Sequence, residues 1–100
     1  MLQKIRYVGD KMKIIRIGAI WCPGCLVMKK VWKNIINNYP NLDITDLDYD
    51  MDSIEVNKYN VGKVLPIVIF LDKNNSELER SIGEQSEDNL RRTIDKYEKV

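Results

Sequence analysis

The stretch Ile14-Ile-Arg-Ile-Gly-Ala-Ile20 runs directly into Trp21-Cys22-Pro23-Gly24-Cys25, and this junction decides how the chain is to be read. Its first seven residues are mostly β-branched and almost continuously apolar, the pattern of a strand buried on both faces of a sheet. Beyond the second cysteine, Val27, Met28, Val31, Trp32, Ile35, Ile36 and Tyr39 recur at helical spacing. The two cysteines are the only ones in the chain, and they stand where that helix begins. Two thiols separated by two residues at a helix start can close a small disulfide ring, and the first feels the positive end of the helix dipole.

Working outward, the helix runs to about Tyr39, because Pro40 disfavours helical geometry at the residue before it. Leu42 to Tyr49 contains a second strand, with Asp43, Asp46 and Asp48 on its exposed side and exit. The series Asp46, Asp48, Asp50 resembles the opening of a calcium loop, but Met51 and Asn57 stand where that loop needs Gly and a bidentate Glu. Solvated carboxylates are the better reading. Asp52 and Glu55 form a capping-box-like start for a short helix through Tyr59. Val61 to Leu65 is a connection that ends at Pro66. Ile67-Val-Ile-Phe-Leu71 is the most strand-like run, Asp72 to Ser76 is turn chemistry, and Glu77 to Ile82 alternates at period two, so residues 67–82 should be an antiparallel hairpin. Gly83 breaks it, and Ser86 caps a last helix that uses Leu90, Ile94 and Tyr97. Residues 1–12 read as a lead-in, with Ile5, Tyr7 and Met12 its only candidates for docking. The whole chain is expected to be one domain.

The totals bound the function. One hundred residues with 44% apolar content support a single core. A net charge of +1, with Lys and Arg scattered, gives no footprint for nucleic acid. No segment approaches the roughly 20 apolar residues of a membrane span. Lys4, Arg6, Asp10 and Lys11 interrupt any secretory leader in residues 1–12. The expected location is therefore the cytoplasm, where a close pair of cysteines is catalytic or metal-binding more often than a structural staple.

Trp21-Cys-x-x-Cys after a buried strand, Pro66 opening a hairpin 44 residues after Cys22, Gly83 closing it, and a final amphipathic helix together resemble the thioredoxin family over roughly residues 12–97. The resemblance implies an α/β thioredoxin-like fold with one mixed four-stranded sheet and helices on both faces. It also implies a thiol-disulfide oxidoreductase that needs no cofactor beyond its own Cys22–Cys25 disulfide. Cys22 would be the exposed nucleophile and Cys25 the more buried resolving thiol. Pro66 would be cis beside them, the Leu65 backbone would bond a substrate peptide, and Trp21 would cover one side. Implied partners are disulfide-containing protein substrates and an electron-donating reductase. The protein is expected to be a monomer and, because residues 1–12 carry no export signal, more a reductase than an oxidase.

The departures are local. Pro23-Gly24 reverses the Gly-Pro order usual in thioredoxin, and Gly18 stands where the family places a tryptophan. Arg16 takes the place of the buried acid, and the chain has no histidine. If Arg16 points toward Cys25, its charge lowers that thiol's pKa; otherwise it snorkels to the surface. A helix N-terminus in a Cys-x-x-Cys setting favours the thiolate, Pro23 suits the first helical turn, and Gly24 allows close approach of a partner's backbone. Lys29 and Lys30 read as a solvated face that adds positive potential. Two other classes share the motif: a copper(I)-binding or cluster-bridging protein, since soft thiolates hold such metals, and a thioredoxin-fold adaptor that binds without turnover.

Overall fold

The computed structural model describes residues 12–98. Within them the order is β1 (Lys13–Gly18), α1 (Pro23–Asn38), β2 (Asp43–Asp48), α2 (Ser53–Asn57), β3 (Ile67–Leu71), β4 (Glu77–Ile82) and α3 (Glu87–Glu98). The sheet runs β2-β1-β3-β4, with β1 parallel to β2, antiparallel to β3, and β3 antiparallel to β4. The two central strands are those with the densest apolar sequence. All five residues of β3 are buried.

Because successive side chains leave a strand on opposite faces, β1 feeds two cores. Ile14 joins Val68 and Phe70 against Met28, Trp32 and Ile35 of α1 and against Leu90 and Ile94 of α3. Ile15 and Ile17 join Ile67, Ile69 and Leu71 on the other face, which Val56 of α2 covers. Helices thus pack on both faces of a mixed four-stranded sheet, as expected.

Local chemistry sets the boundaries. Cys22 is the N-cap of α1 and Pro23 follows it in the first turn, where a missing N–H leaves no partner unpaired. The helix stops before Pro40, with the Tyr39 N–H donating to Ile35 O at 2.8 Å. Asp72 Oδ1 accepts from the N–H groups of Asn74 and Ser76 and shapes the hairpin turn. Ser86 Oγ accepts from Asn89 N at 3.1 Å, the cap expected for α3. Gly83 adopts φ of 87°, which disfavours any side chain, and its N–H donates to Pro66 O at 2.8 Å.

Four expectations need correction. Strand β1 stops at Gly18 rather than Ile20: Cys22 N–H donates back to Ala19 O, forming a turn that leaves Ile20 92% exposed. Val27 and Ile36 lie outside the narrow stripe that α1 buries. Asp52 is the N-cap of α2, but its carboxylate accepts Asp48 N–H at 2.8 Å instead of capping, so the box is not formed. That helix also ends at Asn57, two residues before Tyr59. Of the lead-in, Met12 is in the core, while Ile5 and Tyr7 lie outside the described residues.

Candidate active site

Strand β1, the Ala19–Cys22 turn and the first turn of α1 bring the two cysteines together. They form a disulfide with Cα atoms 5.3 Å apart. Cys22 Sγ accepts the Cys25 N–H at 3.1 Å, so a sulfur fills the capping role an oxygen usually takes. The α1 N-terminus therefore points a polarised N–H at Cys22 Sγ.

Pro66 flanks the pair. The Leu65–Pro66 peptide is cis, and Pro66 Cδ lies 3.1 Å from where a Cβ on Gly24 would stand, with Glu84 Cγ at 3.2 Å. The Pro66 ring and Glu84 thus approach Gly24 closely, and a side chain there would make them shift by a few tenths of an ångström. The backbone of Leu65 makes no hydrogen bond among the described residues. Ile20, Trp21, Val64 and Ile82 expose apolar side chains next to the cysteines, to Leu65 and to Gly83.

Taken as whole residues, Cys22 is the more buried of the two cysteines. Cys22 is 3% exposed, whereas Cys25 is half-buried. Pro66 and Glu84 pack closely on Gly24 in the first turn of α1, and a side chain at Gly18 would meet Cys25 Sγ.

Trp21 is 58% exposed and held by two contacts: its Nε1–H donates to Asp50 Oδ2 at 2.7 Å, and its ring meets Tyr49 edge-on at 6.2 Å. Arg16 sits on a central strand in register with Asp46. Its guanidinium donates to both Asp46 oxygens, at 2.6 and 2.7 Å, and lies 5.1 Å over the Trp32 ring. It neither snorkels freely nor acts as an unpaired cation, although it lines the same groove as Cys25. Asp48 Oδ1 accepts from Asp50 N and Met51 N, so the three acids that imitate a calcium loop are all engaged with protein partners. Sequence reasoning missed Asp46 and Asp50 as site partners, although the parallel pairing of the first two strands could have placed Asp46 beside Arg16. Among the described residues, no three Asp, Glu, Cys or His side chains cluster to hold a metal, and no helix is long and apolar enough to cross a membrane.

A mixed sheet with helices on both faces, a disulfide capping a helix and a cis proline beside it define the class of dithiol–disulfide exchange proteins. Comparison with known proteins agrees. The family model described as thioredoxin matches residues 3–96. Thioredoxin of Chlamydia trachomatis is 25% identical over 91 residues, covering 91% of this chain and 87% of that one. Thioredoxin H5 of Oryza sativa subsp. japonica is 30% identical over 78 residues, covering 78% of this chain and 56% of that one. Among solved structures, thioredoxin NaTrxh of Nicotiana alata superposes with a TM-score of 0.81 at 23% identity, over 97% of this chain and 85% of that one. Fasciola hepatica thioredoxin gives 0.79 at 23% identity, over 96% and 90%. The chain belongs to the thioredoxin family, and it is a thiol-disulfide oxidoreductase.

Proposed function

We propose that Cys22 and Cys25 are the working dithiol, with Cys22 attacking a disulfide in a protein substrate and Cys25 resolving the adduct. The observation that carries this is the Cys25 N–H aimed at Cys22 Sγ at the mouth of α1. A thiolate there is stabilised by that N–H and by the helix dipole, and the thiolate is the reactive form. Attack joins Cys22 Sγ to one substrate sulfur and expels the other as a thiolate. Cys25, once deprotonated, then attacks Cys22 Sγ, restores the disulfide and releases the second substrate sulfur. The substrate sits against the exposed Ile20, Trp21, Val64 and Ile82, an apolar rim suited to peptide. Its extended backbone bonds the unpartnered N–H and C=O of Leu65 beside Pro66.

The direction is reductive, with electrons supplied by a reductase, and the protein acts as a monomer in the cytoplasm without a bound cofactor. The reduced protein is expected to catalyse insulin reduction with a thiol donor. A Cys22→Ser variant should be inactive, and a Cys25→Ser variant should retain substrates covalently on Cys22. Undiminished insulin reduction by Cys22→Ser would overturn the assignment.

A further inference from the structure

Glu84 lies against the turn that carries the two cysteines. A Cβ built on Gly24, between them in sequence, would stand 3.2 Å from Glu84 Cγ and 3.3 Å from Glu84 Oε2. The Pro66 ring meets the same point at 3.1 Å, so the carboxylate, the cis proline and the first turn of α1 share one place on the surface. The backbone of Glu84 is tied on both sides. Gly83 N–H donates to Pro66 O at 2.8 Å, and Gln85 N–H donates to the buried Met28 Sδ at 3.5 Å. The loop after β4 is thus fixed to the connection before β3 and to α1, with Glu84 between the two ties.

The carboxylate itself is free. Glu84 is exposed, and among the described residues it makes no hydrogen bond or ion pair. Two other charged residues border the exposed Trp21 and Val64. Asp50 accepts the Trp21 Nε1–H, and Lys63, two residues before Leu65, is exposed and does not pair with Glu84. Glu84 is therefore a carboxylate packed on Gly24 with its hydrogen-bonding capacity unspent.

We propose that Glu84 selects among protein disulfides, favouring those whose reacting cysteine is flanked by Lys or Arg over those flanked by Asp or Glu. The proposal rests on the working dithiol proposed above. A substrate sulfur that reaches Cys22 brings its neighbouring residues to the Cys22–Cys25 turn and Pro66, and so to Glu84. A cationic neighbour gains a partner there, and Glu84 gives up none to provide it. An acidic neighbour meets a like charge, which counts against the wrong substrate. The contact is exposed, so its effect is modest and is screened by salt.

The test uses two peptides, Gly-Arg-Cys-Arg-Gly and Gly-Glu-Cys-Glu-Gly, each with its cysteine held as a 2-pyridyl disulfide. Release of thiopyridone by the reduced protein is followed at low salt, and each rate is divided by that of dithiothreitol with the same peptide. The ratio of the Arg-peptide rate to the Glu-peptide rate should fall by about threefold in Glu84→Gln and further in Glu84→Lys. Added salt should bring the parent's ratio toward that of Glu84→Gln. A carboxylate that only shaped the loop or biased the Cys22 thiolate would change both rates alike. A ratio unchanged in both variants therefore overturns the proposal; should one variant misfold, the other decides. Normal insulin reduction beside an unchanged ratio confines the failure to Glu84, whereas absence of insulin reduction in the parent protein removes the working dithiol itself.

Discussion

Arg16 shows how one substitution changes its surroundings. A cation on a central strand has to be satisfied, and Asp46 on the neighbouring strand does so from the paired position. Since Arg16 keeps a quarter of its side chain exposed and Asp46 about two thirds, the pair contributes only about 0.2–1 kcal/mol. Asp46→Asn should lower unfolding stability by that amount in a urea titration. It should also leave an uncompensated guanidinium lining the groove beside Cys25, which favours the thiolate. Alkylation of reduced Cys25 should then reach half its maximal rate at a lower pH than in the parent. At this scale the sequence made Cys22, Cys25, Pro66 and Gly83 legible, because each carries a chemical or backbone property of its own. The close packing of Pro66 and Glu84 on Gly24 was not legible, because these are contacts between segments far apart in the chain.

Polar contacts within and between the elements respond to pH. Tyr39, at the end of α1, donates its hydroxyl to Asp95 of α3 at 2.7 Å, and this hydrogen bond, with burial and the carboxylate charge, raises the phenol pKa. The Arg80 hydrogen bond holds the Glu77 carboxyl below its ordinary range on β4, and Arg91 does the same for Glu87 on α3. A carboxylate with a depressed folded pKa contributes stability that is present above its unfolded pKa, near 4.5, and lost as pH falls through the folded value. A phenol with a raised pKa contributes stability that is present below about 10 and lost as pH rises through its folded value. The urea midpoint should therefore fall below pH 4.5 and again above pH 10, with Glu77→Gln flattening the acid limb. Gly24→Ala belongs to the same scale. The helix gains up to about 1 kcal/mol of propensity, but the new methyl meets the Pro66 ring at 3.1 Å. The expected outcome is stability within about 1 kcal/mol of the parent and slower insulin reduction. Element types were legible because apolar periodicity reports burial. Their ends were less so, since Ile20 and Tyr59 are apolar or aromatic yet lie in turns.

Across the whole molecule, β3 joins the two cores, with Val68 and Phe70 on one face and Ile67, Ile69 and Leu71 on the other. Phe70 is fully buried, and Phe70→Ala should cost about 3–5 kcal/mol. Against a total of about 5–15 kcal/mol for a domain of this kind, a guanidinium titration should show a large drop in midpoint. The architecture was legible because the order of apolar runs and turns admits few topologies once crossovers are right-handed. Strand β4 is the outermost of the described strands on its side, and it carries Glu77, Glu79 and Arg80 opposite a register break at Phe70 and Leu71. A second molecule that tried to extend the sheet there would have to bury these charges and match an irregular ladder. The same strand that completes the active-site fold therefore guards the protein against fibril growth, and neutralising its charges would make a well-folded molecule prone to stacking edge upon edge.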